Sequence, residues 1–319
     1  MYSFLVPPLL RGVRGDYNHL CSVTQHQNTA YKVKKIWLYS LLVVTIGTLL
    51  FTWRSFSVPV TSTTITPSKK IQYESRVLAS GIAHIVKIPA NSEYFITPAV
   101  SDKLITVKQF AQKHKAIAAI NAGYFDPVNQ KTTSHITIQR NKVADPNLNE
   151  RLVNNPNLQS YLPKILNRSE FRKISCNSKI QYEIALHTEK TAPNCQIIDA
   201  IGAGSKLLPE LTLVQEGFVD NTNNRDAIGS TQLNARSAVG ITEDGSIILV
   251  MVAQKPELPS GISLPALADL MKNLGASSAM NLDGGSSSSL YYNGTTYNGK
   301  VDRQGKSTIR PVKSVLLVK

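Results

Sequence analysis

Residues 237–253 read SAVGITEDGSIILVMVA. Two apolar runs, Ser237–Ile241 and Ser246–Ala253, stand on either side of Glu243-Asp244-Gly245. A glycine-containing acidic turn between runs rich in Val and Ile is a hairpin signal, because glycine supplies the positive φ that a tight reversal needs. The stretch predicts two core strands joined by a short turn.

Similar punctuation recurs outward from this hairpin. Upstream, Val107–Lys115 is amphipathic with Thr106 placed to cap it, and Ala116–Ile120 is an apolar strand that runs into Asn121-Ala122-Gly123-Tyr124-Phe125. Downstream, Leu264–Leu274 reads as a helix with Ser263 as its cap and Gly275 as its stop. Ser278–Leu282 is a further strand ending in Asp283-Gly284-Gly285-Ser286, and Arg310–Val318 is a closing strand. Strands and helices mix without strict βαβ alternation. The expected class is α+β, with mixed β-sheets and flanking helices in a single globular domain over residues 73–319. No internal repeat is present.

The N-terminal region has a different character. Ile36–Trp53 (IWLYSLLVVTIGTLLFTW) carries no charge over 18 residues, and Lys32, Lys34, Lys35 and Arg54 flank it. At about 1.5 Å per residue, such a helix spans most of a hydrocarbon core about 30 Å thick. Trp37, Tyr39 and Trp53 suit the interfaces. The run begins well inside the chain and no A-x-A-like cleavage site follows it, so it reads as a retained signal anchor. Five basic residues against Asp16 precede it, which keeps residues 1–35 cytoplasmic and exports everything beyond residue 53. Residues 54–72, rich in Ser, Thr and Pro, read as a tether.

The whole chain carries 35 Lys and Arg against 21 Asp and Glu, so 30 basic and 20 acidic residues lie beyond the first 35. These charges are scattered singly, without the basic blocks or aromatic interleaving of a nucleic-acid binder. Anionic envelope polymers or lipid head groups suit such a surface better. Of the three cysteines, Cys176 and Cys195 fall on the exported side. They are expected to form a disulfide, the alternative being two free buried thiols. The histidines are scattered and no C-x-x-C occurs, so no metal and no cofactor is expected.

Three apolar runs end in polar, glycine-bearing loops: at Asn121, at Ala200-Ile201-Gly202-Ala203-Gly204-Ser205, and at Asn281-Leu282-Asp283-Gly284-Gly285-Ser286. Tight turns use the same residues, but together the loops suggest an anion-tolerant cleft where strands end. Candidate ligand contacts are Gly123, Gly202, Gly204, Gly284, Gly285, Ser286 and Arg310. Asp283 is the most suspicious carboxylate, either a turn residue or a catalytic acid. Arg236 and Arg310 open core strands, as solvated charges or as forks for phosphate or carboxylate. Asn121 is either an Asx-turn former or a sugar ligand. The Ser286–Ser289 run has no G-x-S-x-G elbow and no evident base, which disfavours a serine hydrolase, and no P-loop signature occurs.

In this order, Ile120-Asn121-Ala122-Gly123-Tyr124-Phe125, the Ala200–Gly204 stretch, Ala235-Arg236-Ser237-Ala238-Val239-Gly240 and Asn281–Ser287 resemble the phosphodiester glycosidase family, with Arg310-Pro311-Val312 as a weaker fifth element. The similarity covers about residues 77–319. It differs from many members in placing Ser286 after Asp283-Gly284-Gly285, and residues 145–195 look like a bacterial subgroup rather than the animal uncovering enzyme, which removes N-acetylglucosamine from a phosphodiester. The resemblance implies cleavage of a sugar-1-phosphodiester in envelope glycans or glycolipids. Asp283, Arg236 and Asn121 would form the catalytic set, with Asp145 and Glu216 as reserve carboxylates. Transfer of the sugar to another acceptor would use the same residues. A non-catalytic glycan-binding or exopolysaccharide assembly protein of the same fold is the competing class.

Overall fold

The structure, a computed structural model, describes residues 69–319 apart from Asn91 and Leu258. The segments expected to be a cytoplasmic tail (1–35) and a membrane anchor (36–53), and most of the expected tether (54–72), lie outside the described residues. Among the described residues no helix is long and apolar enough to cross a membrane.

The hairpin forms as the sequence suggests. Strands β13 (Arg236–Thr242) and β14 (Ile247–Ala253) pair antiparallel from Arg236↔Val252 to Ile241↔Ile247, and Gly245 closes the turn at φ 82°. They lie at the centre of a six-stranded sheet ordered β1 (Gln72–Val77), β2 (Ile82–Ile88), β14, β13, β15 (Ala276–Asn281), β10 (Lys206–Leu208). A second, five-stranded sheet runs β17 (Thr295–Asn298), β16 (Ser289–Tyr292), β4 (Ala118–Asn121), β18 (Val312–Val318), β3 (Ile96–Ile105). A third runs β6 (Asn141–Ala144), β5 (Ile136–Ile138), β9 (Cys195–Gly202), β7 (Ser169–Cys176), β8 (Lys179–Leu186), and a small ribbon joins β11 (Val219–Asp220) to β12 (Arg225–Asp226).

Strand alternation sorts the core into layers, because successive side chains point to opposite faces. On β14, Ile248, Val250 and Val252 pack with Leu264, Leu267 and Met271 of the helix Leu264–Asn273. Its alternate residues, Ile247, Leu249 and Met251, pack inward against Ile120, Leu290 and Leu316 of the second sheet and Ile136, Phe171 and Ile201 of the third. On the second sheet's far face, Ala119, Val315 and Leu317 meet Val107, Phe110 and Ala111 of the helix Val107–Lys113. The sequence is thus helix, sheet, sheet, helix, with the third sheet closing the shared core. Burial at about 25 cal/mol per Å² of apolar surface makes this core the main stabilising feature.

Both helices start as the sequence indicates. Thr106 and Gln109 form a reciprocal capping box, while Ser263 accepts from the Ala266 amide and Pro265 occupies the first turn. The expected mixed sheets are corrected: every pairing between described strands is antiparallel, and strands far outweigh helices. Antiparallel neighbours need no crossover helix, so a few short helices suffice to cover the outer faces. Cys176 and Cys195 face each other across β7 and β9 and are disulfide-bonded.

Candidate active site

Three strand ends meet where the first two sheets adjoin. Asn121 closes β4, Arg236 opens β13, and Asp283 follows β15 by two residues. The Asp283 amide donates to the Ala122 carbonyl at 2.8 Å, the Leu282 amide to Ser237 at 2.8 Å, and the Gly285 amide to Ala235 at 2.8 Å. The aspartate loop is therefore held by main chain from both sheets.

Asn121 lies behind this loop, fully buried. Its side-chain amide donates to the Asp283 carbonyl at 2.5 Å, while its oxygen accepts from the Ser237 hydroxyl at 2.7 Å and the Ser289 amide at 3.0 Å. These bonds tie the aspartate loop to Ser237 on β13 and Ser289 on β16, so Asn121 holds Asp283 in position from behind.

A cleft of about 330 Å³ opens over the loop, lined among others by Tyr124, Gly229, Gln232, Asn234, Arg236 and Asp283. Its volume falls in the range of small-molecule sites. Asp283 is half-buried on its wall, and burial pushes the carboxyl up to about 6; the Ser287 side chain, the Arg310 charge and the Gly284 amide pull the other way. Gly284 and Gly285 line the same cleft.

Arg236 reaches the cleft with most of its donors committed to main-chain carbonyls. Its Nη1 donates to Ile228 at 3.0 Å, and its Nη2 to Gly229 at 2.6 Å and Gln232 at 3.4 Å. Its Nε donates to the Ile262 carbonyl at 3.4 Å. Asp226 steadies the same segment by accepting from the Ser230 amide at 2.6 Å and the Ser230 hydroxyl at 2.8 Å. Arg236 and Asp283 do share a cleft, and the guanidinium binds the roof of that cleft. Arg310 is differently placed. Its Nη1 donates to the Ser286 hydroxyl at 2.9 Å, its guanidinium lies 5.6 Å from the Phe125 ring centre, and no other Arg310 nitrogen finds a hydrogen-bond partner among the described residues.

The remaining sequence-predicted glycines stand behind the cleft. Gly123 and Gly202 bring two loops together: a Cβ on Gly123 would come within 3.0 Å of the Gly202 carbonyl oxygen. Gly204, at φ 87°, would place a Cβ 2.1 Å from a Glu216 carboxylate oxygen. Its carbonyl accepts from the Tyr124 hydroxyl at 2.9 Å. Glu216 is buried and spoken for, accepting from the Ser169 amide and hydroxyl, the Lys206 amide and the Thr212 hydroxyl. Asp145 caps the turn Pro146–Leu148 and pairs with Lys142; burial pushes its carboxyl up, but hydrogen bonds from Asn147 and then from Lys142 hold it down at about 2. Neither reserve carboxylate lines the Asp283 cleft.

Sequence reasoning does not single out Tyr124 or Arg168. Tyr124 follows the glycine loop into the cleft, takes a 2.8 Å bond from Asn281 and is pushed well up by burial and then by the Asp283 charge, so it stays neutral. Arg168 lies 3.7 Å over the Phe218 ring and 5.7 Å from Tyr124, and burial lowers it to about 10. Tyr124 was visible inside the Asn121 motif; Arg168 stands in a segment with no motif. Among the described residues no three His, Cys, Asp or Glu side chains group as a metal site would require.

The arrangement offers a carboxylate of raised pKa at the wall of a polar cleft, the Arg310 guanidinium bonded to Ser286 of the same loop, and a rigid main-chain frame. No curated protein matches the chain in sequence. Among solved structures, the zebrafish N-acetylglucosamine-1-phosphodiester alpha-N-acetylglucosaminidase catalytic domain, auto-inhibited by its pro-peptide, has a TM-score of 0.57 at 18% identity over 78% of this chain and 82% of that one. A hypothetical protein from Synechocystis has a TM-score of 0.54 at 18% identity over 79% of this chain and 62% of that one, so this chain spans less than two thirds of that protein. At such identity the likeness is one of fold. The phosphodiester glycosidase family model matches residues 114–319, a span that holds the Asn121, Gly202, Arg236 and Asp283 loops together. The chain belongs to the phosphodiester glycosidase family.

Proposed function

We propose that this protein hydrolyses a glycosyl phosphodiester, breaking the bond between an anomeric carbon and a phosphate oxygen, with Asp283 as the working carboxylate. The observation that carries this reading is Asp283 itself: a carboxyl raised to about 6, set in a 330 Å³ cleft beside an arginine with donors to spare. An ionised Asp283 stabilises positive charge developing at the sugar, as base toward water or as nucleophile. The bond's electron pair leaves with the phosphate. A phosphomonoester, whose second pKa is about 6, departs with little need for protonation. Arg310 is the cation placed to hold that phosphate, and Arg236 shapes the cleft around it.

The proposed setting is extracytoplasmic and membrane-anchored, acting on sugar phosphates of envelope glycans or glycolipids. The uncharged run 36–53 and its basic flank support it, and so does the Cys176–Cys195 bond, since disulfides persist in oxidising compartments. A reporter enzyme that needs export, fused after Lys319, is expected to be active; activity only of a cytoplasm-dependent reporter would overturn this setting.

The deciding experiment incubates the full-length protein with a panel of sugar-1-phosphate diesters and follows free sugar and phosphomonoester together. The two products should appear in equal amounts, and Asp283→Asn should reduce the rate by about 10²–10⁴-fold while the protein stays folded. Wild-type rates in that variant would remove Asp283 from the chemistry, and absence of turnover across the panel would leave a glycan-binding role.

A further inference from the structure

The strands of the first two sheets run between two ends, and Asn121, Arg236 and Asp283 gather at one of them. At the other, Gln72 pairs with Lys87 and Ile88 with Ile247, so β1 enters there. Ala118 and Ile96 both pair with Val318, Phe95 and Lys319 exchange amide-to-carbonyl bonds at 3.0 Å, and the Ile117 amide donates to Val318 at 2.9 Å. Tyr73 of β1 stacks 5.2 Å from Tyr292, the last residue of β16, which ties the entering strand to this end of the second sheet. We propose that this end is a membrane-docking base: Lys113, Lys115 and Lys319, set around Phe95 and Ile117, seat the domain on an anionic lipid surface with the Asp283 cleft turned away from it. The inference rests on the membrane-anchored setting proposed above and not on the hydrolase reading.

Where the chain enters is the first argument. Residues 54–68 separate Lys69 from the uncharged run at 36–53. A linker of that length spans at most about 50 Å when fully extended. It keeps the base near the bilayer at an effective concentration of about a millimolar, so a weak surface interaction is enough to set orientation. The length of β18 separates the base from the cleft, a distance of about 20 Å. Docking therefore lifts the cleft beyond the head groups of the anchoring leaflet and opens it to substrate arriving from outside.

The second argument is the chemistry of the face. Phe95 is 40% exposed and Ile117 36%, and Lys113, Lys115 and Lys319 are exposed beside them. His114, between two of these lysines, is lowered by burial and then by the Lys319 and Lys113 charges, which puts both ammonium groups in its neighbourhood. Among the described residues none of the three lysines makes an ion pair. The opposing charges are Glu93, exposed on the same connection, and Glu243 and Asp244 on the turn whose Ser246 hydroxyl accepts from Ala90 at 3.2 Å. Asp244 is occupied by the Ser246 amide and hydroxyl at 3.1 and 3.0 Å. Unpaired lysines around half-exposed apolar side chains suit a lipid surface, where the cations meet phosphates and the apolar groups enter the head-group layer. A stable protein interface needs an apolar core within about 800 Å² per partner, which two such side chains do not supply.

The test places full-length protein in nanodiscs of phosphatidylcholine, alone or mixed with phosphatidylglycerol. An environment-sensitive fluorophore is attached at Ile117→Cys or, at the cleft end, at Ile309→Cys, each in a Cys21→Ser background, with thermal melting as the check on folding. The label at 117 should shift to the blue on anionic discs only, the label at 309 should not, and salt or Lys113→Glu with Lys115→Glu should abolish the shift. Equal signals at 117 on the two discs, or the same shift at 309, would overturn the docking base. A shift in detergent that grows with protein concentration would assign the face to a second copy instead. Alkaline carbonate extraction tests the anchor separately, because a chain that stays with the membrane keeps the anchored setting whatever the label reports. If carbonate releases it, flotation with vesicles decides: flotation on anionic vesicles that the charge reversals abolish keeps the base and sinks the anchor, and no flotation removes both.

Discussion

Replacing Asp283 with Asn should make the protein more stable and less active, and the gain in stability should depend on pH. Burial raises the carboxyl from an ordinary 3.8 to about 6 against the pull of Ser287, Arg310 and Gly284. Below pH 3.8 the native and unfolded chains both hold the proton. Between 3.8 and about 6 the unfolded chain releases it and the native chain keeps it, so the native state binds more protons and stability falls as pH rises. Above about 6 the loss is complete, and at pH 7 it corresponds to at most about 3 kcal/mol. Asn is neutral throughout and keeps most of the carboxyl's shape, so Asp283→Asn escapes the loss.

Urea unfolding of wild type and variant at pH 3.5, 5 and 7 measures the difference directly, and taking the difference cancels every other titrating group. The two proteins should be nearly equal at pH 3.5 and diverge toward pH 7, the variant being the more stable. The catalytic counterpart is a wild-type kcat/KM that rises with pH through about 6, as the carboxylate needed for the sugar ionises. A variant that is less stable at pH 7, or whose difference does not change with pH, would refute the claim that an enclosed charge raises this group.

Three further outcomes follow from the same geometry. Asn121→Ala strands the Ser237 hydroxyl and the Ser289 amide, at about 1–3 kcal/mol each, so the melting temperature and the turnover number should fall together. Arg236→Lys exchanges a fork for one ammonium that cannot reach Ile228, Gly229, Gln232 and Ile262 at once; proteolysis between residues 226 and 232 should speed up and KM should rise by about tenfold. Peptide mapping without reductant should recover Cys176 linked to Cys195, and reduction should lower stability by about 3 kcal/mol through the freed 19-residue loop.

How much of this could be read in the sequence depends on where charge was buried. The 237–253 hairpin, the two capped helices and the strands before Asn121 and Asp283 were legible, because apolar runs there end abruptly at polar glycine loops. Where their ends differ from expectation, they do so by one or two residues, as when the Val107 helix stops at Lys113 instead of Lys115. The third sheet was not legible. In β7 the pattern Ser-Glu-Phe-Arg-Lys-Ile looks like surface, yet Arg172 is fully buried, paired with Glu170 at 3.0 Å and bonded to the carbonyls of Leu186, His187 and Glu189. A buried ion pair of this kind erases the alternation on which strand assignment rests. Pairing direction was hidden too, because connections such as residues 145–168 and 209–218 are too long to dictate it.

At the site, Asp283 and Arg236 could be found as strand-end residues, but not what each would touch. Whether an arginine grips a ligand or its own loop depends on carbonyls supplied by residues 228–232, a stretch with no periodicity to mark it. Asn121 posed the same ambiguity, resolved only by the arrival of Ser237 and Ser289 from other strands.

The grip of Arg236 on its loop has a consequence for how this family member could change its diet. The aperture above Asp283 is gauged by main-chain carbonyls tied to one guanidinium, not by interchangeable side chains. Point substitutions along the rim would retune affinity while leaving the opening's width almost as it is. A bulkier sugar would instead call for a longer or shorter 226–232 segment, with the arginine free to re-tie a different set of carbonyls. Divergence in substrate size should therefore be written as insertions and deletions in that loop, against a nearly constant floor of Asn121, Ser237 and Asp283.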